Sequence, residues 1–389
     1  MSIKQKAWNT PFTQTFRCRL PILSAPMAGV SGGLLAAEVT KAGGLGMIAA
    51  GHFQDIETLE SEIEIFEDCI TTSRTSNNEA ASHCDHSSSD VAIGFIGFSS
   101  FAAPAGWENY ERILKKYRPK AVQCFAPSIV VSQQQQQGDD GACGLPMSNV
   151  QLAHEYGAKF IAQVGSIAEA KIAIRHNVDA IICQGSEAGG HGLRRELGNS
   201  TLALASQVKS NLVSGNNNNN IPVLAAGGIV NGKHVTSMLC VCDGVSMGTR
   251  YWACKESLDS KQLQHELIRD NSCDDVVRTT AFDQIHNELA SSNLLRWPHP
   301  YNSSGTLRNK TTEEWDDRDG KPSSKERLQC AIVTTQLLEE YKVSRELCDA
   351  TVVPVYAGQG VGEIDSIEGA YDITLKVEEE AMDTMDRLR

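Results

Sequence analysis

Residues 181–192 read IICQGSEAGGHG, an apolar run that breaks into glycines and brings Gln184, Glu187 and His191 within eight positions. These residue types suit work on a planar heterocycle. A glutamine side chain both donates and accepts hydrogen bonds. An imidazole, with an unperturbed pKa of about 6.5, is largely neutral at pH 7 and matched to taking a proton. Gly189 and Gly190 leave room for a flat ring and deny His191 a packed helical setting. A plain strand-to-turn transition explains the glycines but not the polar groups set among them.

Glycines mark two further run ends. AAGGIVNG carries Gly227 and Gly228, and SMGTR carries Gly248 and Thr249. Glycine lets backbone N–H groups approach a phosphate closely, a following helix start adds a favourable dipole, and the Thr249 hydroxyl can donate. Plain turns account for each pair taken singly. The first run ends SAPMAGVSGG. A residue before proline is held extended, so Ala25, Pro26 and Met27 are expected to offer backbone contacts and a soft apolar face to a flat ring. A tight strand-to-helix turn is the competing reading.

The elements that must position these residues are short apolar runs at 21–30, 45–51, 91–98, 121–127, 159–165, 180–186, 221–228 and 243–250. Helical patterns such as IETLESEIEIFEDCI and WENYERILKKY separate them. Apolar runs alternating with helices imply a parallel sheet buried on both faces. Eight such units close an α/β-class (β/α)8 TIM barrel, whereas an open doubly wound sheet more often has about five or six strands. Barrel active sites lie at the C-terminal strand ends, with phosphate commonly bound after strands seven and eight. That rule puts all the segments above on one rim.

After Arg250 the pattern becomes helical, so 255–350 is expected to form a helical subdomain beside a barrel built from 18–254 plus 351–371. The closing VVPVYAGQGVGEI, 352–364, is expected either to fold over the barrel mouth or to make an edge turn. Three polar tracts, 71–90, 132–143 and 214–220, read as surface insertions, and His83 and His86 in the first read as filler rather than metal ligands.

The 389 residues are 41% hydrophobic and 21% charged, with a formal net charge of −13 and no basic stripe. Nucleic acid and anionic membrane surfaces are therefore not expected as partners. No apolar run reaches the roughly 18 residues needed to span a bilayer. Twelve cysteines without a CxxC pair fit a reducing compartment, and Cys240 and Cys242 fit a helix or loop better than a zinc site, so no metal is expected. The first twenty residues carry Lys and Arg but no acid, which suits a transit peptide or a solvated lead-in; a cytoplasmic location is the expectation.

Taken together, SAPMAGVSGGLLAAEVTKAGGLGMI, CQGSEAGGHG, IPVLAAGGI, MGTR and PVYAGQGVGEI resemble the nitronate monooxygenase family, formerly called 2-nitropropane dioxygenase. The resemblance runs from residue 20 to 252, with LLRWPHPYNSSGTLRN and AGQGVG as later echoes, and AGGHG is its most specific element. It implies an FMN cofactor and the oxidation by O2 of alkyl nitronates, and of nitroalkanes, to a carbonyl compound and nitrite. It puts the active-site base on His191, and FMN contacts on Ala25, Pro26, Met27, Gln184, Gly189, Gly190, Gly227, Gly228, Gly248 and Thr249. Trp252 and Cys254 depart from the family's pattern, and Trp252 is expected to reshape the substrate pocket. Two other readings stay open. One is an FMN-dependent NAD(P)H oxidoreductase resembling the enoyl-acyl-carrier-protein reductases, which share the phosphate glycines. The other is a barrel that binds without catalysing. An IMP-dehydrogenase-like reading needs a cysteine in the loop after the sixth run, where this chain has His191.

Overall fold

The computed structural model describes residues 8–51, 53, 55–76, 89–99, 106–131, 147–213, 221–288, 296–315 and 331–388. The polar tracts 132–143 and 214–220, and the middle of 71–90 with His83 and His86, lie outside the described residues.

Each apolar run becomes a strand: β1 Ile22–Ser24, β2 Met47–Ala49, β3 Ser89–Ile96, β4 Pro119–Phe125, β5 Lys159–Val164 and β6 Ala180–Gln184. A short β7, Gly190–Gly192, precedes the last two, β8 Val223–Ala226 and β9 Gly244–Met247. All but β7 form one eight-stranded parallel sheet in the order β1-β9-β8-β6-β5-β4-β3-β2. Its ends meet. The Ser24 N–H donates to the Leu45 carbonyl at 3.0 Å and the Leu45 N–H to that of Ile22 at 2.9 Å. The Met47 N–H adds a bond to the Ser24 hydroxyl at 3.0 Å. The sheet is thus a closed TIM barrel, the arrangement that removes exposed strand edges.

Alternation along the strands layers the barrel interior. The lower layers are apolar, with Ala92, Ala121, Ile161, Ala180, Ile182 and Leu224 in one buried cluster with Phe12 and Phe16. Those two phenylalanines belong to a helix, Pro11–Phe16, that starts with a Thr10 capping box and Pro at its first turn. Phe12 reaches the start of β9, where a Cβ on Gly244 would come within 3.3 Å of its ring. The second half of the amino-terminal stretch is therefore a plug for the bottom of the barrel, not a solvated lead-in, because its two aromatic rings fill space the small strand residues leave.

Helices surround the barrel with their apolar faces inward. Trp107–Tyr117 buries Tyr110, Ile113, Leu114 and Tyr117, the i, i+3, i+4, i+7 stripe that a helix on a sheet requires. Ser148, Ser166 and Asn231 cap the helices Asn149–Glu155, Ile167–Arg175 and Gly232–Leu239. The ring is completed by Ala370–Leu388, which packs on Gly232–Leu239 and Gly33–Lys41. The Thr236 hydroxyl donates to the Ala381 carbonyl at 3.0 Å, and Arg19 pairs with Glu378.

Between β9 and that last helix the chain makes an excursion. It leaves and returns at one point: Cys254 bridges Glu368, and the Ala370 N–H donates to a Glu256 carboxylate oxygen at 2.8 Å. Alongside helices such as Lys261–Leu267, Ala281–Glu288 and Ala331–Glu346, the excursion supplies two strands, β10 Val276–Thr279 and β11 Ser303–Leu307. They pair antiparallel with each other, and β11 pairs with β7. Helical periodicity does not announce them, because the residues they pair with lie far along the chain. No described helix is long and apolar enough to cross a membrane.

One contact limits how closely the helix Gly33–Lys41 lies on the barrel. A Cβ on Gly46 would sit 1.8 Å from the Ala36 carbonyl oxygen in the helix Gly33–Lys41. Gly46→Ala should therefore force that helix off β2 and destabilise the protein by about 3 kcal/mol, read from urea or thermal unfolding. A loss below about 0.5 kcal/mol would mean the packing is looser than this contact requires.

Candidate active site

At the C-terminal strand ends lies a cavity of about 510 Å³. Ala25, Pro26, Met27, Gln184, Gly189, Gly190, His191, Gly227, Gly228, Gly248 and Thr249 all line it. The eleven residues singled out from the sequence thus meet at one mouth.

The floor is a layer of amides. Gln123 on β4, Gln163 on β5 and Gln184 on β6 all line the cavity, one layer above the apolar interior. The Gln123 amide donates to the Gln163 carbonyl oxygen at 2.8 Å, and the Gln184 amide donates to the His191 backbone carbonyl at 2.8 Å. That leaves the side-chain oxygens of Gln123 and Gln184 buried without a partner. Such acceptors are costly unless something donates to them. A planar heterocycle with N–H groups on one edge fits the need. Gly190 suits the same ligand, for a Cβ there would meet nothing within 4 Å. Only Gln184 was picked out from the sequence. The signal for the other two was present in AVQCF, IAQVG and ICQGS, where a glutamine stands near the end of three successive runs.

The wall at the ends of β1, β9 and β8, consecutive in the sheet, is built from backbone. Ser31 fixes the Ala25–Pro26–Met27 turn, its hydroxyl donating to the Ala25 carbonyl at 3.0 Å and accepting the Met27 N–H at 3.1 Å. Pro26 leans over Gly94, where a Cβ would lie 2.3 Å from the proline ring. Gly227 and Gly228 have φ of 134° and 70°, values that side chains oppose, so the turn after β8 needs glycine. The Thr249 hydroxyl accepts the Gly358 N–H at 3.0 Å, which leaves its own proton for a second acceptor. An anionic tail would find at this corner closely approaching backbone and one hydroxyl donor.

Gly358 belongs to the closing segment, which does fold over the mouth. The Gln359 N–H donates to the Glu187 carbonyl at 2.9 Å, and a Cβ on Gly189 would come within 2.6 Å of the Ala357 carbonyl carbon. Tyr356, Gly358 and Gly360 line the cavity from above.

His191 is held from several sides. Its strand β7 pairs with β11, His191 opposite Ser304. Its ring stacks on Trp297, centroids 4.0 Å apart and planes within 5°, with Tyr356 at 5.6 Å. Its Nε2 lies 3.0 Å from Oδ1 of Asp283. Behind the loop, Arg278 on β10 donates to the carbonyls of Ala188 at 2.6 Å and Ser303 at 3.2 Å, with longer bonds to Ser186 and Gly190. Burial pulls its guanidinium down to about 10, partly offset by Glu187. The far end of the cavity is formed by Trp252, Leu263, His286, Tyr341 and Arg345. Burial pulls His286 down to about 4, and its Nε2 lies 2.8 Å from the Tyr341 hydroxyl. Of the two departures noted in the sequence, Trp252 lines the cavity, while Cys254 is buried with its thiol pushed up to about 12. Asp283, Trp297 and His286 carried no local signal, since their partners are far away in sequence.

Two tests follow from this geometry. Arg278→Met would leave several loop carbonyls without their donor and should cost about 3 kcal/mol; an unfolding free energy within about 0.5 kcal/mol of the parent would show the clamp to be dispensable. His286 titrates near 4 when folded and near 6.5 when unfolded, so the unfolded chain takes the proton first as pH falls. Stability should therefore drop between pH 6.5 and 4, by roughly 2 kcal/mol once the ring's partial exposure is allowed for. His286→Gln should remove that part of the slope in urea titrations at stepped pH, and an unchanged slope would refute it.

Residues 130–373 match the family model of nitronate monooxygenase. The chain is 25% identical over 374 residues to the nitronate monooxygenase of Neurospora crassa, covering 95% of this chain and 90% of that one. It is 31% identical over 297 residues to the probable nitronate monooxygenase of Staphylococcus aureus strain MSSA476, covering 71% and 76%. In fold it is similar to a nitroalkane oxidase from Streptomyces ansochromogenes, with a TM-score of 0.68 at 21% identity and coverage of 98% and 100%. On the family match and these relatives, the chain belongs to the nitronate monooxygenase family, flavin-dependent oxidoreductases that oxidise nitronates.

Proposed function

We propose that the protein binds FMN across the barrel mouth and oxidises alkyl nitronates, and nitroalkanes that it first deprotonates, with O2 to a carbonyl compound and nitrite. The observation that carries this reading is the meeting of His191, the two unpartnered glutamine oxygens and the two glycine-marked corners in one cavity. Gln123 and Gln184 would accept from the heterocycle edge, and Gly227, Gly228, Gly248 and Thr249 would hold the phosphate. Ala25, Pro26 and Met27 would border the ring, Gly190 gives it room, and Gly189 lets the closing segment pass close beside it. FMN, when bound, supplies the redox chemistry between the nitronate and O2.

The chain's own part is binding, water exclusion and proton transfer. His191, only 11% exposed at its side chain, stands on the cavity wall under the closing segment. A nitroalkane bound beside it would lose its α-proton to the imidazole, its carbon–hydrogen electron pair moving onto the nitro group. Tyr356, Trp297 and Trp252 cover the site and keep the low-dielectric setting in which an ion pair of imidazolium and nitronate holds together. A substrate supplied as nitronate skips the proton step.

The test is a split between substrates. His191→Asn should lower turnover of a neutral nitroalkane by about 10²–10⁴-fold while nitronate turnover falls by less than about tenfold. Oxygen uptake and nitrite release are the readouts. Equal losses on both substrates would remove the base role. Anaerobic bleaching of the flavin by NADH, with no nitronate-dependent oxygen uptake, would replace the oxidase reading with a reductase.

A further inference from the structure

The Asp283 carboxylate lies in the excursion, 92 positions from His191, yet its Oδ1 is 3.0 Å from the His191 Nε2. We propose that Asp283 is a positioning residue for His191: it holds the ring as the Nε2–H tautomer, leaves Nδ1 as the proton-accepting atom, and stabilises the imidazolium that proton transfer creates. This rests on the reading of His191 as the base and deepens it by naming the accepting atom and the counter-charge.

The chemistry of the pair dictates the tautomer. A carboxylate only accepts, so in a neutral ring the nitrogen facing it must carry the proton. The lone pair is then on Nδ1, which has no hydrogen-bond partner among the described residues. Trp297, stacked at 4.0 Å and nearly parallel, keeps the ring from turning away. Asp283 is 2% exposed at its side chain, makes no ion pair with Lys or Arg among the described residues, and has Oδ2 buried without a donor. A carboxylate so poorly compensated attracts any positive charge that arises on the ring strongly.

The same three-stranded sheet fixes both partners. His191 is on β7; β10, paired through β11, ends at Thr279, whose hydroxyl accepts the Ala281 N–H at 3.1 Å and starts the helix that carries Asp283. Also near the pair are His286 on that helix and Tyr356 in the closing segment, with Tyr341 and Arg345 of Ala331–Glu346 lining the same cavity. Burial keeps the two phenols and His286 uncharged near neutrality. Of the charged groups, Arg278 donates to the Gly190 carbonyl beside His191 and Arg345 lines the same cavity, while Asp283 is the one in direct contact with the imidazole. In the step itself a carbon–hydrogen bond breaks, a proton joins Nδ1, and the electron pair stays with the substrate as nitronate. The imidazolium so formed lies between that anion and Asp283.

The experiment is 15N NMR of the full-length protein labelled in its imidazoles, with His191 assigned by its absence in His191→Asn, alongside turnover of a nitroalkane and its nitronate. In the parent protein His191 should be the Nε2–H tautomer. Asp283→Asn should lower its titration midpoint by about one pH unit or more. The same change should cut nitroalkane turnover at least about tenfold, leave nitronate turnover within about threefold, and add little to His191→Asn. An Nδ1–H tautomer in the parent, or an unmoved midpoint in Asp283→Asn, overturns the proposal. The parent tautomer decides the matter even if Asp283→Asn fails to fold. Equal loss of both activities in His191→Asn would instead overturn the base role, and the NMR would still report on the pair.

Discussion

The Arg278 guanidinium, buried behind the loop that follows β6, donates to backbone carbonyls on both sides of that loop's turn and on β11. A glycine-rich segment such as Ser186–Gly192 has little side-chain packing to hold it, and unfixed it would sample many conformations. One cation with a fork of donors gives it a single path. The cost is a charge held out of water, visible in the depressed guanidinium pKa. What results is a histidine whose backbone is as well defined as a strand in a sheet, at a place where the barrel alone would offer a loose connection.

The barrel contributes a gradient. Its interior is apolar and plugged by Phe12 and Phe16 below, then turns to glutamine at the rim. Strand alternation makes this change abrupt, since the next inward-facing position is one layer higher. The lower layers give rigidity, and the top layer presents amides whose partners are incomplete within the protein. Local stability is thus concentrated beneath the cavity, and hydrogen-bonding capacity is left facing it.

The excursion between β9 and the last helix turns an open rim into an enclosed site. It supplies the strands that grip β7, the aspartate and tryptophan against His191, and the closing segment that bonds to Glu187 and Thr249. Because it leaves and returns at the Cys254–Glu368 bridge, it does so without interrupting the ring of helices. The barrel thus supplies the rim, and the excursion encloses it.

The eight strands were legible because a strand buried on both faces must be continuously apolar, and that pattern is local. The rim residues were legible for a similar reason: glycines break each run where its strand ends, and IICQGSEAGGHG, AAGGIVNG and SMGTR carry them within a few positions. Gln123 and Gln163 were written there too, as a repeat between runs rather than within one. Asp283, Trp297 and the two strands of the excursion had no such mark. An antiparallel pairing, a carboxylate facing an imidazole and a ring stacked on another are relations between segments far apart in the chain, and neither residue type nor spacing encodes which distant partner will arrive. The amino acids by themselves determined that there is a barrel with a histidine and glycines on its rim; only the folded chain decided what stands against that histidine, because that depends on where the excursion comes to rest.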